Sequence, residues 1–152
     1  MSVSFTGLTP SNLPTNTRAV VDANYVKTIA LPSAAGSVYS ASLDLGDGVS
    51  GVPYATTETI NVQVLAPALA DAVIGNAETI AYALQDSADN SSFAAIAALA
   101  TQTQTGAGAG VAATTYTFKL PPNTRRYIRL AATTGASTGD ASGSSATLRL
   151  AF

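Results

Sequence analysis

The sequence predicts an all-β domain, an antiparallel sandwich or barrel with about seven or eight strands. Three observations predict it. Apolar and polar residues alternate at every second position through most segments, which is the pattern of half-buried strands. Turn-forming residues interrupt these segments about every 8–15 residues, a spacing typical of sandwiches and barrels. No segment shows a sustained helical period.

The chain divides into an N-terminal arm, 1–24, and one β domain, 25–152. The arm contains two prolines and no sustained period, with one short candidate strand at Ser2–Phe5. It is either a frayed terminus or an extended arm that lies across a neighbouring subunit. The second interpretation gives its apolar residues a partner, so the candidate contacts in the arm are Phe5, Leu8, Leu13 and Arg18.

The first half of the β domain contains three predicted strands. Tyr25–Leu31 ends at a proline, and Thr57–Leu65 alternates apolar with polar residues. The alanine-rich segment 66–77 is either a short helical turn or a connecting loop. Between Tyr25–Leu31 and Thr57–Leu65, the segment Ser37–Leu45 is predicted as one continuous strand that ends at a Gly-Asp-Gly turn. One face of this strand consists of Tyr39, Ala41, Leu43 and Leu45.

The central segment, Glu78–Ala100, is interpreted as a strand, a polar turn and a second strand. In its first strand Ile80, Tyr82 and Leu84 alternate with Thr79, Ala81, Ala83 and Gln85, the pattern of a half-buried strand. The turn is assigned to 86–92 because Asp, Asn and Ser side chains bond their own backbone in turns. The second strand, Phe93–Leu99, is predicted to place four residues on one side: Phe93, Ala95, Ala97 and Leu99.

The last third contains three further strands. The Thr-, Gln- and Gly-rich segment 101–113 is predicted to be an exposed, mobile loop that buries little. Strands follow at Thr114–Leu120, at Arg125–Ala132 after a Pro-Pro-Asn turn, and at Ala146–Phe152 after a Gly/Ser/Thr loop. The clean alternation of the final segment predicts a strand that is paired inside a sheet.

Composition narrows the class of function. Charged residues make up only 11% of the chain, less than half of the usual share of about a quarter. Such a surface is suited to contact with another protein, because interface cores are depleted of charge. The net charge of −2 argues against nucleic acid as a partner. The absence of cysteine predicts folding in a reducing cytoplasm, and neither a secretory signal nor a membrane-spanning apolar segment is present in the sequence.

The usual catalytic arrangements are missing. Without histidine or cysteine there is no hydrolase triad and no structural zinc site. The glycines of 106–110 lack the lysine of a phosphate-binding loop. Carboxylates cluster at Asp44/Asp47 and at Asp86/Asp89, but turn chemistry explains both clusters without Ca²⁺. We therefore expect no metal, no cofactor and no enzymatic activity.

Three arginines form the densest charged group, and they lie in a C-terminal third with a local excess of positive charge. Arg125, Arg126 and Arg129 follow the Pro-Pro-Asn turn. They are either a solvated strand end that pairs with Glu58 or Glu78, or a docking contact to an acidic partner surface. The sequence leaves this alternative open.

Two motifs resemble a known family. The run Ala83–Phe93, ALQDSADNSSF, has the form LQ-(S/D)-S-x-D-(G/N)-x-x-F from Leu84 onward, and Arg126–Arg129 reads RYIR. With its size, low charge, absence of cysteine and β pattern, the chain resembles the capsid-stabilising (cement or decoration) proteins of tailed bacteriophages, of the type seen in the Bordetella phage capsid. The resemblance covers Tyr25–Phe152 and excludes the arm.

The resemblance implies a jelly-roll-like sandwich without catalysis. It implies a homodimer or homotrimer that binds the major capsid protein on the outer surface of the virion, after synthesis in the host cytoplasm, with no nucleic-acid or membrane partner. A different hypothesis is a carbohydrate- or receptor-binding sandwich of a phage tail or fibre, against which the absence of tryptophan counts. A small β-barrel enzyme is the least favoured reading.

Overall fold

The computed structural model describes residues 25–46, 61–135 and 138–151, and in this part of the chain the fold is all-β, as predicted. Within these residues, ten strands form two antiparallel sheets. They are β1 (Val26–Ala30), β2 (Gly36–Tyr39), β3 (Leu43–Asp44), β4 (Asn61–Ala66), β5 (Thr79–Ser87), β6 (Ala94–Ala95), β7 (Gln102–Thr105), β8 (Thr114–Lys119), β9 (Tyr127–Thr134) and β10 (Ser145–Ala151).

The two sheets form a sandwich with the strand order of a jelly roll. Sheet 1 has the order β1-β10-β4-β8, and sheet 2 has the order β2-β9-β5-β6. β3 lies in line with β2 along β9, and β7 lies in line with β6 along β5. The ten strands therefore occupy eight positions, and the chain passes between the sheets in the sequence expected for an eight-stranded double-sheet jelly roll.

The core lies between the inner faces of the two sheets. The strand at the C-terminal end of the chain, β10, is paired on both sides, with β1 and β4, which confirms the predicted position inside a sheet. Every second residue of the long strands points inward and is almost completely buried. The largest of these side chains are Val62, Val64, Ile80, Tyr82, Leu84, Phe118, Ile128, Leu130, Leu148 and Leu150.

The predicted strand Ser37–Leu45 is broken by one extra residue. Tyr39 lies opposite Ala131 and Leu43 opposite Ile128, so four steps along this edge match three steps along β9. An inserted residue reverses the faces of the side chains that follow it. Consequently Leu43 is buried while Tyr39 is 48% exposed, and the predicted shared face of these two residues is wrong. The buried Ser40 stabilises the break, because its hydroxyl accepts the amide of Leu130.

The second strand of the central hairpin is much shorter than predicted. Only Ala94–Ala95 pairs with β5, and the amide of Leu99 donates to the carbonyl of Ile96 in a turn. The predicted strand Phe93–Leu99, with Phe93, Ala95, Ala97 and Leu99 on one side, is therefore wrong except at Ala94–Ala95. Ile96 is the buried residue of this segment. A run of small alanines provides too little apolar area to hold a longer strand against the core.

The prediction that 101–113 is an exposed loop is also wrong. Strand β7 lies in this segment, and its Gln104 is only 2% exposed. The Gln104 amide group donates to the carbonyls of Pro67 (2.9 Å) and Ala112 (3.1 Å), and its oxygen accepts the Tyr82 hydroxyl at 2.8 Å. Burial raises the pKa of the Tyr82 phenol, which keeps this hydroxyl a donor. The segment is held by a buried polar network.

The glycines of this segment pack closely against 66–77. A Cβ atom at Gly110 would meet the Leu69 carbonyl oxygen at 2.1 Å, and one at Gly106 would meet the Gly75 carbonyl oxygen at the same distance. Residues 66–77 contain one helical turn, in which the amide of Ile74 donates to the carbonyl of Ala70. Leu69 forms an isolated β-bridge with Val111, which lies in the loop after β7. Both interpretations of 66–77, a short helical turn and a connecting loop, are therefore partly correct.

Candidate docking surface

The outer face of sheet 2 brings the two sequence motifs together at one end of the sandwich. β5 and β9 pair over eight residues, so that Gln85 lies opposite Arg129 and Ser87 lies opposite Tyr127. Opposed residues of an antiparallel pair share a face. The hairpin turn that follows β5 and the Pro-Pro-Asn turn that precedes β9 therefore lie at the same end of sheet 2.

The hairpin turn is closed by Asp89. Its Oδ1 accepts the amides of Ser91 and Ser92, both at 2.9 Å, and the Ser87 hydroxyl at 2.8 Å. These donors hold the pKa of the Asp89 carboxyl well below its usual range, the Ser92 amide making the largest contribution. Asn90 adopts a positive φ of 59°, a conformation in which Gly and Asn are favoured. The motif positions D and (G/N) are thus explained by the geometry of the turn.

Asp86 belongs to strand β5 and binds Arg125, although the sequence assigned it to the turn. One carboxylate oxygen accepts both the Nε and an Nη2 hydrogen of Arg125, at 2.9 and 2.6 Å, and the other accepts the Arg125 backbone amide. Asp86 is 7% exposed. The contact with Asp86 raises the pKa of the Arg125 guanidinium. This ion pair ties the turn before β9 to the end of β5.

The proposed pairing of the arginines with Glu58 or Glu78 is not what the structure shows for Arg125. Its carboxylate partner is Asp86. Glu78 instead accepts the backbone amide of Gly75. Glu58 lies outside the described residues. The sequence could not locate this pair because Asp86 and Arg125 are 39 positions apart and meet only through the β5–β9 register.

A recess of about 410 Å³ opens beside the Asp86–Arg125 pair. Its apolar side is formed by the segment after β6, including the buried Ile96, and Asn123 contributes a polar wall. The two charges next to it neutralise one another. The recess therefore favours neither an anion nor a cation.

Arg126 forms a second ion pair, at the surface. Its Nε and Nη2 donate to the two carboxylate oxygens of Asp44 at 2.8 and 2.9 Å, and its guanidinium lies 5.0 Å from the Tyr127 ring centre. The hydrogen bond from Arg126 is the main cause that lowers the pKa of the Asp44 carboxyl. This pair joins β3 to the start of β9, and exposed pairs of this kind contribute about 0–1 kcal/mol.

Arg129 differs from both, because its guanidinium is enclosed by aromatic rings. Its central carbon lies 4.0 Å from the ring centre of Tyr39 and 4.1 Å from that of Phe93. Its Nε donates to the side-chain oxygen of Gln85 at 2.8 Å. We call these four residues, Tyr39, Gln85, Phe93 and Arg129, the arginine stack. Of these four, only Arg129 was predicted as a contact residue, and Gln85 and Phe93 were identified only as motif positions. Tyr39 was not predicted, because the break between β2 and β3 separates its face from that of Leu43.

The carboxylate clusters considered for Ca²⁺ are occupied by protein donors. Asp86 binds Arg125, Asp89 binds its own turn, and Asp44 binds Arg126. In the described ranges, no group of three or more potential ligands is arranged to hold a metal ion. Asp47 and the predicted arm contacts Phe5, Leu8, Leu13 and Arg18 lie outside those ranges.

The outer face of sheet 1 is polar but poor in charge. Thr28 and Thr147 face each other across β1 and β10. Arg149 donates from Nε to Gln63 at 2.9 Å, and no ring is stacked on it among the described residues. Both sheets thus present an Arg–Gln pair, and among the described residues aromatic rings contact only the arginine of the pair on sheet 2.

The arginines, amides and rings of the described surface can form hydrogen bonds and stacking contacts to another molecule. No helix in the described ranges has the length and apolar character needed to cross a bilayer. No family model matches the chain, and no curated protein matches it.

Proposed function

We propose that the protein is a capsid cement protein, which binds the outside of an icosahedral viral shell and bridges neighbouring major capsid proteins. The main support is that the two motifs of the resemblance contact each other on an exposed face. Gln85 and Phe93 of the first motif both contact Arg129 of the second. The two motifs therefore contribute residues to one outer surface as well as to the core.

A charge-poor sandwich is physically suited to this role. A protein that binds only the expanded lattice stabilises it by mass action. Contacts to two capsomers at once gain from effective concentration, so that each contact can be weak. Burying threonine- and glutamine-rich faces avoids the large desolvation cost of unpaired charges. The proposal includes self-association as a dimer or trimer, in which the arm contacts are Phe5, Leu8, Leu13 and Arg18.

A second candidate is a carbohydrate- or receptor-binding module of a phage tail or fibre. One observation favours it, the 48% exposure of Tyr39. An exposed tyrosine ring can stack on a sugar, and jelly rolls also occur in lectins. Against this, the inner ring faces of Tyr39 and Phe93 are already covered by Arg129.

Co-sedimentation separates the two candidates. The purified protein is mixed with expanded capsids that lack it, with unexpanded procapsids, and with immobilised glycans. We expect saturable binding to expanded capsids and an increase in the temperature at which those capsids open. Binding to glycans without binding to capsids would replace the proposal by the second candidate. A chain lacking 2–24 tests the arm, and unchanged self-association and capsid binding would remove the arm contacts from the proposal.

A further inference from the structure

The three arginines near the start of β9 have different environments. Arg125 and Arg126 each bind a carboxylate of the same chain, Asp86 and Asp44. Among the described residues no carboxylate lies within ion-pair distance of Arg129. Its one hydrogen-bond partner there is the neutral Gln85. Within the described part of the chain, Arg129 is thus a cation on the outer face of sheet 2 that no carboxylate neutralises.

The arginine stack restricts how Arg129 can be approached. Tyr39 is the last residue of β2, on one side of β9, and Phe93 precedes β6 on the other side. The central carbon of the guanidinium lies 4.0 Å from the first ring centre and 4.1 Å from the second. Gln85 occupies its Nε. No residue that the structure describes accepts a hydrogen bond from the Nη groups, which are the atoms left to a partner. A planar fork of two N–H groups matches the two oxygens of a carboxylate.

Immobilisation adds to the suitability of these Nη groups for binding. A free arginine side chain loses rotamer freedom when it is fixed at an interface, at a cost of about 0.5–1.5 kcal/mol. In Arg129 the two rings and Gln85 already restrict the guanidinium before any partner arrives. Aromatic residues and arginine are also the side chains enriched at interface hot spots.

We propose that Arg129 is the docking residue of this surface and that it takes an Asp or Glu side chain of a partner protein. This assignment rests on the proposed function, in which the partner is the major capsid protein. Charge complementarity selects the partner's chemistry, since the stack offers a fixed positive edge within a nearly neutral face. A protein carboxylate fits better than an acidic sugar, because the inner ring faces on which a sugar would stack are filled by the guanidinium itself.

The first test measures capsid binding by four variants. R129Q keeps a polar side chain without charge, and R129K keeps the charge without the planar fork. We expect each to lower affinity about 30-fold, which is the 2 kcal/mol of a hot spot converted at 1.4 kcal/mol per tenfold. Y39A leaves Arg129 charged but less restrained and should lower affinity by less than R129Q does. R149Q is the matched control, an outer-face arginine paired with glutamine, and should bind as the parent does.

The second test needs no capsid. The side-chain Nε–H resonances of Arg129 and Arg149 are followed by NMR during titration with sodium acetate, against sodium chloride at equal ionic strength. Acetate should shift the Arg129 resonance more than that of Arg149. Equal shifts of the two resonances would overturn the assignment. The absence of any acetate-dependent shift at Arg129 would also overturn it, because another carboxylate of the chain would then already occupy the Nη groups.

These outcomes separate the two proposals. If the parent protein fails to bind capsids, the proposed function fails, while the acetate titration still decides the role of Arg129. If the parent binds and R129Q binds equally well, the inference fails and the function stands. Full binding by R129K would refute planar recognition. Loss of N-acetylneuraminic acid binding in R129Q, with capsid binding retained, would overturn the choice of a protein partner.

Discussion

Replacing Gln104 by alanine should destabilise the protein strongly, although Gln104 lies in a segment whose composition is typical of a loop. Its side chain makes three hydrogen bonds, to the carbonyls of Pro67 and Ala112 and from the Tyr82 hydroxyl. At a net contribution of about 1 kcal/mol for each bond, the loss is about 3 kcal/mol. The shortened side chain also leaves the Tyr82 hydroxyl buried without its partner.

The assay is urea unfolding followed by far-UV circular dichroism, with the free energy of unfolding obtained by linear extrapolation. Gln102→Ala is the matched control, because Gln102 is on the same strand and has no side-chain hydrogen bond among the described residues. Its effect should stay within about 0.5 kcal/mol. Tyr82→Phe should cost about 1–2 kcal/mol, and the double variant should cost less than the sum of the two single variants. If Gln104→Ala is as mild as Gln102→Ala, the network does not hold β7 and the reasoning is refuted.

Three further predictions concern the turns. Arg125→Ala should destabilise more than Asp86→Ala, by at least about 1 kcal/mol in urea unfolding, because it leaves a buried carboxylate without its ion-pair partner; equal losses would contradict this. Folding lowers the pKa of Asp89 below its unfolded value of about 3.9, so its contribution is complete above about pH 4 and is lost as the pH falls. Asp89→Asn should therefore flatten the acid dependence of stability, measured by thermal melts at a series of acidic pH values, and an unchanged slope would contradict the assignment. Gly110→Ala should cost more than Gly108→Ala, since both have positive φ but only the first would meet a backbone carbonyl, and equal melting temperatures would show that the loop relaxes freely.

Period-2 alternation predicted the strands that contribute most to the core. Ile80, Tyr82 and Leu84 of β5 point inward as expected, and so do the alternate apolar residues of β9 and β10. These strands are long, and one of their faces is buried, so a shift by one residue would expose an entire apolar face. In these strands the alternation of apolar residues therefore determines which face is buried. For this reason the buried face could be predicted without knowing which strands pair with them.

The features that the pattern did not predict depend on contacts between distant residues. Gln104 is buried because Pro67, Tyr82 and Ala112 saturate its amide, and these partners lie 37, 22 and 8 positions away. A glutamine in a Thr/Gln/Gly run carries no local sign of that network. The break between β2 and β3 is similar, since an uninterrupted alternation from Tyr39 to Leu43 conceals an inserted residue that only the β9 register reveals.

The arginine group shows the same division within the candidate site. Its position and its two alternatives followed from the sequence, yet each arginine has a different role in the structure. Arg125 and Arg126 bind carboxylates that are 39 and 82 positions away. Ion pairs at such separations follow from strand pairing and not from local spacing. Consequently the sequence could indicate a basic cluster but could not distinguish the two neutralised arginines from Arg129.

The motif residues divide by the direction in which they point, and this division separates folding from recognition. Leu84 and Ile128 are core residues, and Asp89 closes the hairpin, so a stable sandwich of this topology accounts for them without any partner. The outward residues Gln85, Phe93 and Arg129 are different: they are half-buried, and a cation–π contact near the surface contributes about 0.5–1 kcal/mol to stability. The arginine stack contributes modestly to folding, and its more specific property is a guanidinium that two rings and Gln85 restrain. The proposed docking role of Arg129 rests on that restraint.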